Sequence, residues 1–207
     1  MDMTRVKGLK GKESRMRLLT IAADEFANRG FHETKVSTIV TRAGLSQPAF
    51  YLYFSSKEAI FDELVNEFRT RLRMLVETSR FTSMVEVQDV PKQLLMTIET
   101  IFRFLAATPH LTRIGLFLAP ESDQIKEELI SLLTDNLRVE QQAGYFRSEL
   151  EMEIVAECVF GIVERLTLSQ LLPGIKEPEG LALQVVNLLL YGMLATEGAI
   201  TQESEKE

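Results

Sequence analysis

TKVSTIVTRAGLSQPAFYLYFSSK, residues 34–57, encodes two short helices joined by a glycine corner. In the first, Val36, Ile39, Val40 and Ala43 recur at i, i+3, i+4 and i+7, so one face needs a core and the other does not. Gly44 follows directly, and a glycine there can take the left-handed conformation that ends a helix and turns the chain. Leu45 then points back to the core, Ser46 is placed to cap the next helix, and Pro48 falls in its first turn, where a missing amide proton costs little. The second helix therefore starts near Gln47 with Phe50 inward, while Gln47, Ala49, Tyr51 and Tyr53 project outward with little charge among them. Such a face suits a nucleic-acid groove better than bulk water, and the pair reads as a helix-turn-helix.

The flanking residues extend the unit on both sides. Ser55-Ser56-Lys57-Glu58 reads as a capping box, with Ser55 at the cap and Glu58 three positions on, starting a long helix at Lys57. A lysine beside the positive end of a helix is unfavourable unless an anion such as phosphate sits there, so Lys57 is expected to meet one. Upstream, Leu18, Leu19, Ala22, Ala23 and Phe26 form an apolar stripe with Thr20, Asp24, Glu25 and Asn28 mostly opposite. A supporting helix is thus expected before the pair, ended by Gly30.

Charge is distributed unevenly. The chain carries a formal −7, yet residues 1–57 hold ten Lys or Arg against five Asp or Glu, a balance of +5, and the remainder holds 13 against 25, a balance of −12. A basic amino-terminal third on an acidic body is expected where one end neutralises phosphates and the other repels them. Arg5, Lys7, Lys10 and Lys12 lie in a glycine-containing stretch without apolar periodicity, read as a flexible basic arm over residues 1–12.

The segment from about Arg15 to Leu64 resembles the DNA-binding domain of the tetracycline-repressor (TetR) family of bacterial transcription regulators. The resemblance is carried by Ile21-Ala22-Ala23, Phe26, Gly30-Phe31, Thr34, Val36, Ile39, Ala43-Gly44-Leu45-Ser46, Phe50-Tyr51, Tyr53-Phe54 and Ser56-Lys57-Glu58. It implies that Thr34 and Lys35 touch phosphates, that Gln47 reaches base edges next to the capping Ser46, and that Pro48 and Ala49 make close apolar contact. Tyr51, Tyr53 and Lys57 would clamp the backbone of double-stranded DNA. No Lys or Arg stands at Gln47, so specificity is expected to lean on one amide, apolar contacts and DNA shape.

Beyond Lys57 no segment alternates with a period of two, and the whole chain is expected to be all-α with about nine helices. Helices are read over 57–79, 93–107, 111–118, 121–142, 151–172 and 179–196, with boundaries at Pro109, Pro120, Gly144 and the stretch 173–178. This gives a DNA-binding domain over 13–58, an effector-binding and dimerisation domain over 59–200, and a loose charged tail over 201–207.

The last two helices are too apolar for one buried face each. A homodimer seam is expected through Val155, Val159, Ile162, Gln184, Asn187, Leu188 and Tyr191, with Gln184 and Asn187 as polar pins of register; TetR-type proteins pair their last two long helices in this way. Between the two ends, the family resemblance implies a small-molecule cavity. Phe68, Leu72, Leu75, Met96, Phe102 and Phe117 are its expected apolar wall, and Glu99 with Arg103 at i, i+4 would meet a ligand or each other. An apolar or amphipathic effector is expected.

Other functions find less support. His32 and His110 are the only histidines and neither has a nearby cysteine, so no metal and no cofactor are expected. There is no Gly-rich phosphate loop or nucleophile elbow, so catalysis is not expected. With no apolar run long enough for a membrane, no signal peptide, and a single Cys158 expected to be buried, a bacterial cytoplasmic location follows. The reading is a ligand-responsive repressor binding a near-palindromic operator as a dimer; the rival is a helical protein-interaction module without sequence-specific DNA binding.

Overall fold

A computed structural model describes the backbone of residues 3–81 and 85–193, and the side chains from Lys10 onward. Nine α-helices and no strand occur among the described residues: α1 (Met3–Glu33), α2 (Val36–Ala43), α3 (Gln47–Tyr51), α4 (Lys57–Glu77), α5 (Val90–Ala107), α6 (Pro109–Arg113), α7 (Ser122–Gln142), α8 (Met152–Leu166) and α9 (Pro178–Tyr191). Wider π-turns extend α6 over Ile114–Leu118 and α8 over Thr167–Leu171.

The amino-terminal unit closes over one small core. Leu18, Ala22 and Phe26 of α1, Ile39 of α2, Phe50 of α3 and Ile60 of α4 are all fully buried. Phe26 meets Phe61 edge-on at 5.0 Å and stacks on Phe31 at 5.8 Å. Aromatic pairs of this geometry contribute about 0.5–1.5 kcal/mol beyond the area they bury. Gly30 breaks the helical path of α1 with φ +78° and ψ 165°, and Gly44 caps α2 at φ +66°, its N–H donating to Thr41 O while Leu45 N–H reaches Val40 O at 2.9 Å. Both glycines do what their positions predict, since a Cβ disfavours these angles.

Four expectations need correction. Residues 3–12 continue α1 and do not form an irregular arm; Lys, Arg, Met and Leu are good helix formers, and the two interrupting glycines weaken the helix without ending it. Met1 and Asp2 lie outside the described residues. Ser56, and not Ser55, caps α4, its Oγ accepting the Ala59 N–H at 3.2 Å. α5 starts at Val90 because Pro91 can occupy a first turn. Finally, α9 ends at Tyr191, where Gly192 at φ +72° leaves the helical region, well short of residue 196; residues 194–207, with the expected loose tail, lie outside the described residues.

The carboxy-terminal body is layered around α5. α9 packs along α5, α8 along α7, and α4 runs from the amino-terminal core across to α7. Phe68 of α4 lies directly on Gly115 in the π-turn, where an added Cβ would stand 2.1 Å from the ring. That close seat joins the two halves of the molecule at the middle of α4.

Candidate DNA-reading face and effector cavity

The second helix of the pair presents its outer surface bare. Ser46 takes extended backbone angles and its Oγ accepts the Ala49 N–H at 3.4 Å, which starts α3 with Pro48 in the first turn. Gln47 and Pro48 are exposed, Ala49 is half-buried, and Tyr51 remains 54% exposed with its ring edge-on to the buried Phe50. Lys35 is exposed at the start of α2, whose first turn has no side-chain cap, so backbone N–H groups there are open to an acceptor from outside. Tyr53 is half-buried against the core, and its hydroxyl lies beside Gly11 of α1.

Two side chains expected on DNA have partners within the protein. Thr34 is 2% exposed, and its hydroxyl donates to Gly30 O at 2.8 Å, bridging the break in α1. Lys57 donates from Nζ to Phe31 O at 2.8 Å and Thr34 O at 3.0 Å, with the ammonium 4.3 Å from the Phe31 ring centroid. Within the protein, these carbonyl oxygens offset a cation at the amino end of α4. Both residues hold the turn that aims α2.

Ion pairs fasten the same unit from the other side. Arg42 of α2 reaches Asp24 at 2.5 Å and the buried Glu25 at 2.6 Å, and Arg29 approaches Glu25 at 3.1 Å. The Arg42 guanidinium holds the Asp24 carboxyl below the usual carboxylate range, with His110 adding to it. His110 belongs to α6 and stands 3.4 Å from Asp24, so the cluster touches the body as well. Glu25 is buried, contrary to its expected solvent-facing place, because α2 lies across that side of α1. Arg15 adds a two-pronged bond to Glu63 at 2.6 and 2.5 Å, joining α1 to α4 over the Phe54 ring.

Inside the body is an apolar cavity of about 110 Å³ between α4, α5, α7 and α8. Leu72, Ile98, Leu105, Leu129, Leu133 and Phe160 line its apolar part, and Asn136 and Glu140 stand at its polar part together with Ser79 and Phe81. Of the residues expected around an effector, Leu72 alone is on this wall. Phe68 is spent on Gly115 and Phe104, Phe102 is fully buried, and Phe117 lies under Lys126. Leu75 and Met96 border a separate surface groove between α4 and α5. Glu99 and Arg103 pair with each other at 2.8 Å, and Arg103 also pairs with Glu179 across to α9. Aromatic and methionine content picks out α4 and α5, yet the cavity is lined by other side chains of these helices and by α7 and α8. A signal did exist in α7, where Glu140 falls in register with the apolar series Leu129, Leu133 and Leu137.

Comparison with known proteins agrees with this geometry. Residues 18–64 match the family model described as bacterial regulatory proteins, tetR family. The HTH-type transcriptional regulator YdgC of Bacillus subtilis (strain 168) is 55% identical over 185 residues, covering 89% of this chain and 95% of that protein. The chain belongs to the tetR family of bacterial regulatory proteins. It is a DNA-binding transcriptional regulator of the helix-turn-helix type. The fatty acid metabolism regulator protein of the same organism is 23% identical, with 86% of this chain and 94% of that protein covered. Among solved structures, the TetR family regulator PfmR from Thermus thermophilus superposes with a TM-score of 0.70 at 22% identity, covering 86% of this chain and 100% of that one. FadR from Bacillus subtilis, solved in complex with stearoyl-CoA, superposes with a TM-score of 0.66 at 21% identity, covering 86% and 99%.

Among the described residues of this TetR-family chain, one more surface is uncovered. Ile154, Leu168, Leu183, Leu188 and Tyr191 are all exposed, and a shallow groove between α8 and α9 is lined by Ile162, Gln184 and Leu188, three of the residues expected at a seam. Asn187 is exposed on the same helix. Val155 and Val159 are not on this surface: Val155 packs beside Met152 and Leu137, and Val159 lines the cavity. Both follow the side of α8 that lies against α7. Cys158, expected to be buried, is exposed beside the groove, one position along the helix from Val159. Among the described residues no helix is long and apolar enough to cross a membrane.

Proposed function

We propose that this regulator is a homodimeric repressor that reads a near-palindromic operator through α3 and leaves it when an apolar or amphipathic small molecule enters the cavity. The observation that carries the reading is the path of α4. This helix of 21 residues, about 31 Å long, is rooted in the amino-terminal core by Ile60, Phe61 and Leu64 and forms the cavity wall by Leu72 and Val76 at its other end. A ligand that displaces the wall therefore tilts the reading unit.

In the operator complex Gln47 reads base edges, Pro48 and Ala49 approach closely, and Lys35, Ser46, Tyr51 and Tyr53 meet the backbone. Thr34 and Lys57 act one step back, by positioning the start of α2. Exposed apolar side chains on α8 and α9 support the seam between two copies, which would set the two reading helices about one or two DNA turns apart. The free volume is somewhat smaller than the roughly 150 Å³ cavity known to admit benzene, so any longer ligand must spread the helices to enter. An acyl chain, as in the FadR complex with stearoyl-CoA, is of that kind. A cytoplasmic location and the absence of catalysis are part of the same proposal.

Selection of bound fragments from a random duplex-DNA pool tests it. An enriched inverted repeat is expected, and Gln47→Ala should relax the preferred sequence while leaving non-specific affinity nearly intact. A folded protein that enriches no sequence in any ligand state would overturn the operator reading and favour the interaction module.

A further inference from the structure

We propose that the effector presents a hydrogen-bond donor to Glu140 at the polar part of the cavity, an ammonium being the best fit, and that a ligand presenting a carboxylate there is excluded. This rests on the reading of the cavity as the effector site. The charged residues on the cavity wall are Glu140 and Glu164, both acidic. Glu164 is matched by Lys126 at 2.8 Å. Glu140 is 5% exposed, and one of its oxygens accepts the Phe81 backbone N–H at 3.0 Å; no other described residue donates to it.

Of the neighbouring polar groups, Ser79 and Asn136 are already engaged, Ser79 donating to Val76 O at 2.7 Å. Asn136 donates to Val76 O at 2.8 Å and accepts from Arg80 Nε at 3.2 Å, and Arg80 itself is exposed. With one neutral donor among the described residues, a carboxylate removed from water is poorly compensated, and a charged donor would be worth roughly twice a neutral one. Burial pushes the Glu140 carboxyl above the usual glutamate range, against the opposing pull of the Phe81 N–H and the Arg80 charge. An ammonium alongside would relieve that penalty, whereas a second carboxylate would set two like charges in a poorly solvated space.

Hexylamine, hexanol and hexanoate share one apolar body and differ at the head, and their binding to the full chain and to Glu140→Gln can be measured by calorimetric titration. Gln retains an oxygen for the Phe81 N–H, so the variant keeps that anchor and its folding is checked by a thermal melt. In the native protein hexylamine should bind about tenfold tighter than hexanoate, with hexanol between; Glu140→Gln should lose about tenfold for the amine and change the alcohol by about twofold or less. Because Glu140→Gln removes only one of 30 acidic residues, loss of the amine preference cannot come from bulk attraction to an acidic protein. Hexanoate binding as tightly as hexylamine, or an amine preference that survives Glu140→Gln, overturns the proposed head-group selection and leaves the cavity reading standing. If none of the three binds a folded, operator-competent protein, the cavity reading falls and takes this proposal with it.

Discussion

The reading unit and the body of this TetR-family regulator are held together in different ways. Around α1–α3 the polar groups that could drift are tied: Lys57 to carbonyls of the turn, Thr34 to Gly30, Arg42 to two acids, and Arg15 to Glu63. Its core is filled by Phe26, Phe50, Ile39 and Ile60 at zero exposure. The body instead keeps an apolar cavity, two π-turns and a large exposed apolar surface on α8 and α9. A filled core resists deformation because every shift loses contacts, while walls around a void can move with fewer contacts to lose. The difference teaches which half has room to change shape, as the proposed ligand response requires, and which half is held rigid.

The largest effect is expected where the filled core is opened. Phe26→Ala should destabilise the chain by about 3–5 kcal/mol in urea unfolding, with operator binding lost alongside. A loss below about 1 kcal/mol would mean that the reading unit tolerates voids as the body does. Lys57→Met separates the two roles considered for that side chain. We expect a stability loss of about 1.5–3 kcal/mol and an unchanged dependence of DNA affinity on salt. Unchanged stability with one fewer counterion released would return Lys57 to the phosphate.

At the junction, Gly115→Ala drives a methyl into the Phe68 ring and should cost about 1–3 kcal/mol, with an altered ligand response. An unaltered response at reduced stability would show that α4 transmits motion without this seat. The smallest effect concerns pH. Because burial raises the folded-state pKa of Glu140, the protonated form is favoured on folding, so its contribution is full below the usual glutamate range and is lost as pH rises through the raised value. The melting temperature of Glu140→Gln relative to the native protein should therefore climb from pH 4 to pH 8. A flat difference would place Glu140 in contact with solvent.

Much of the reading unit was legible because its local rules coincide with its tertiary role. Gly44 and Gly30 turn the chain where periodicity stops, Ser46 caps α3, and Phe50 faces inward, each decided by neighbours within a few residues. The destinations of long polar side chains were not legible there. Lys57 finds acceptors more than twenty residues upstream in the chain, and Glu25 is covered by a helix that sequence spacing alone does not orient.

By itself the sequence determined an all-α chain, the helix-turn-helix, the bare reading face and its basic surroundings, since these depend on periodicity, caps and local charge. Only the tertiary structure decided which apolar face of α4, α5 and α7 encloses space. Phe68 and Leu72 share one helix stripe at i, i+4, yet one is consumed by Gly115 and the other borders the cavity. A stripe records that a face is buried; what it is buried against depends on the crossing of helices far apart in the chain.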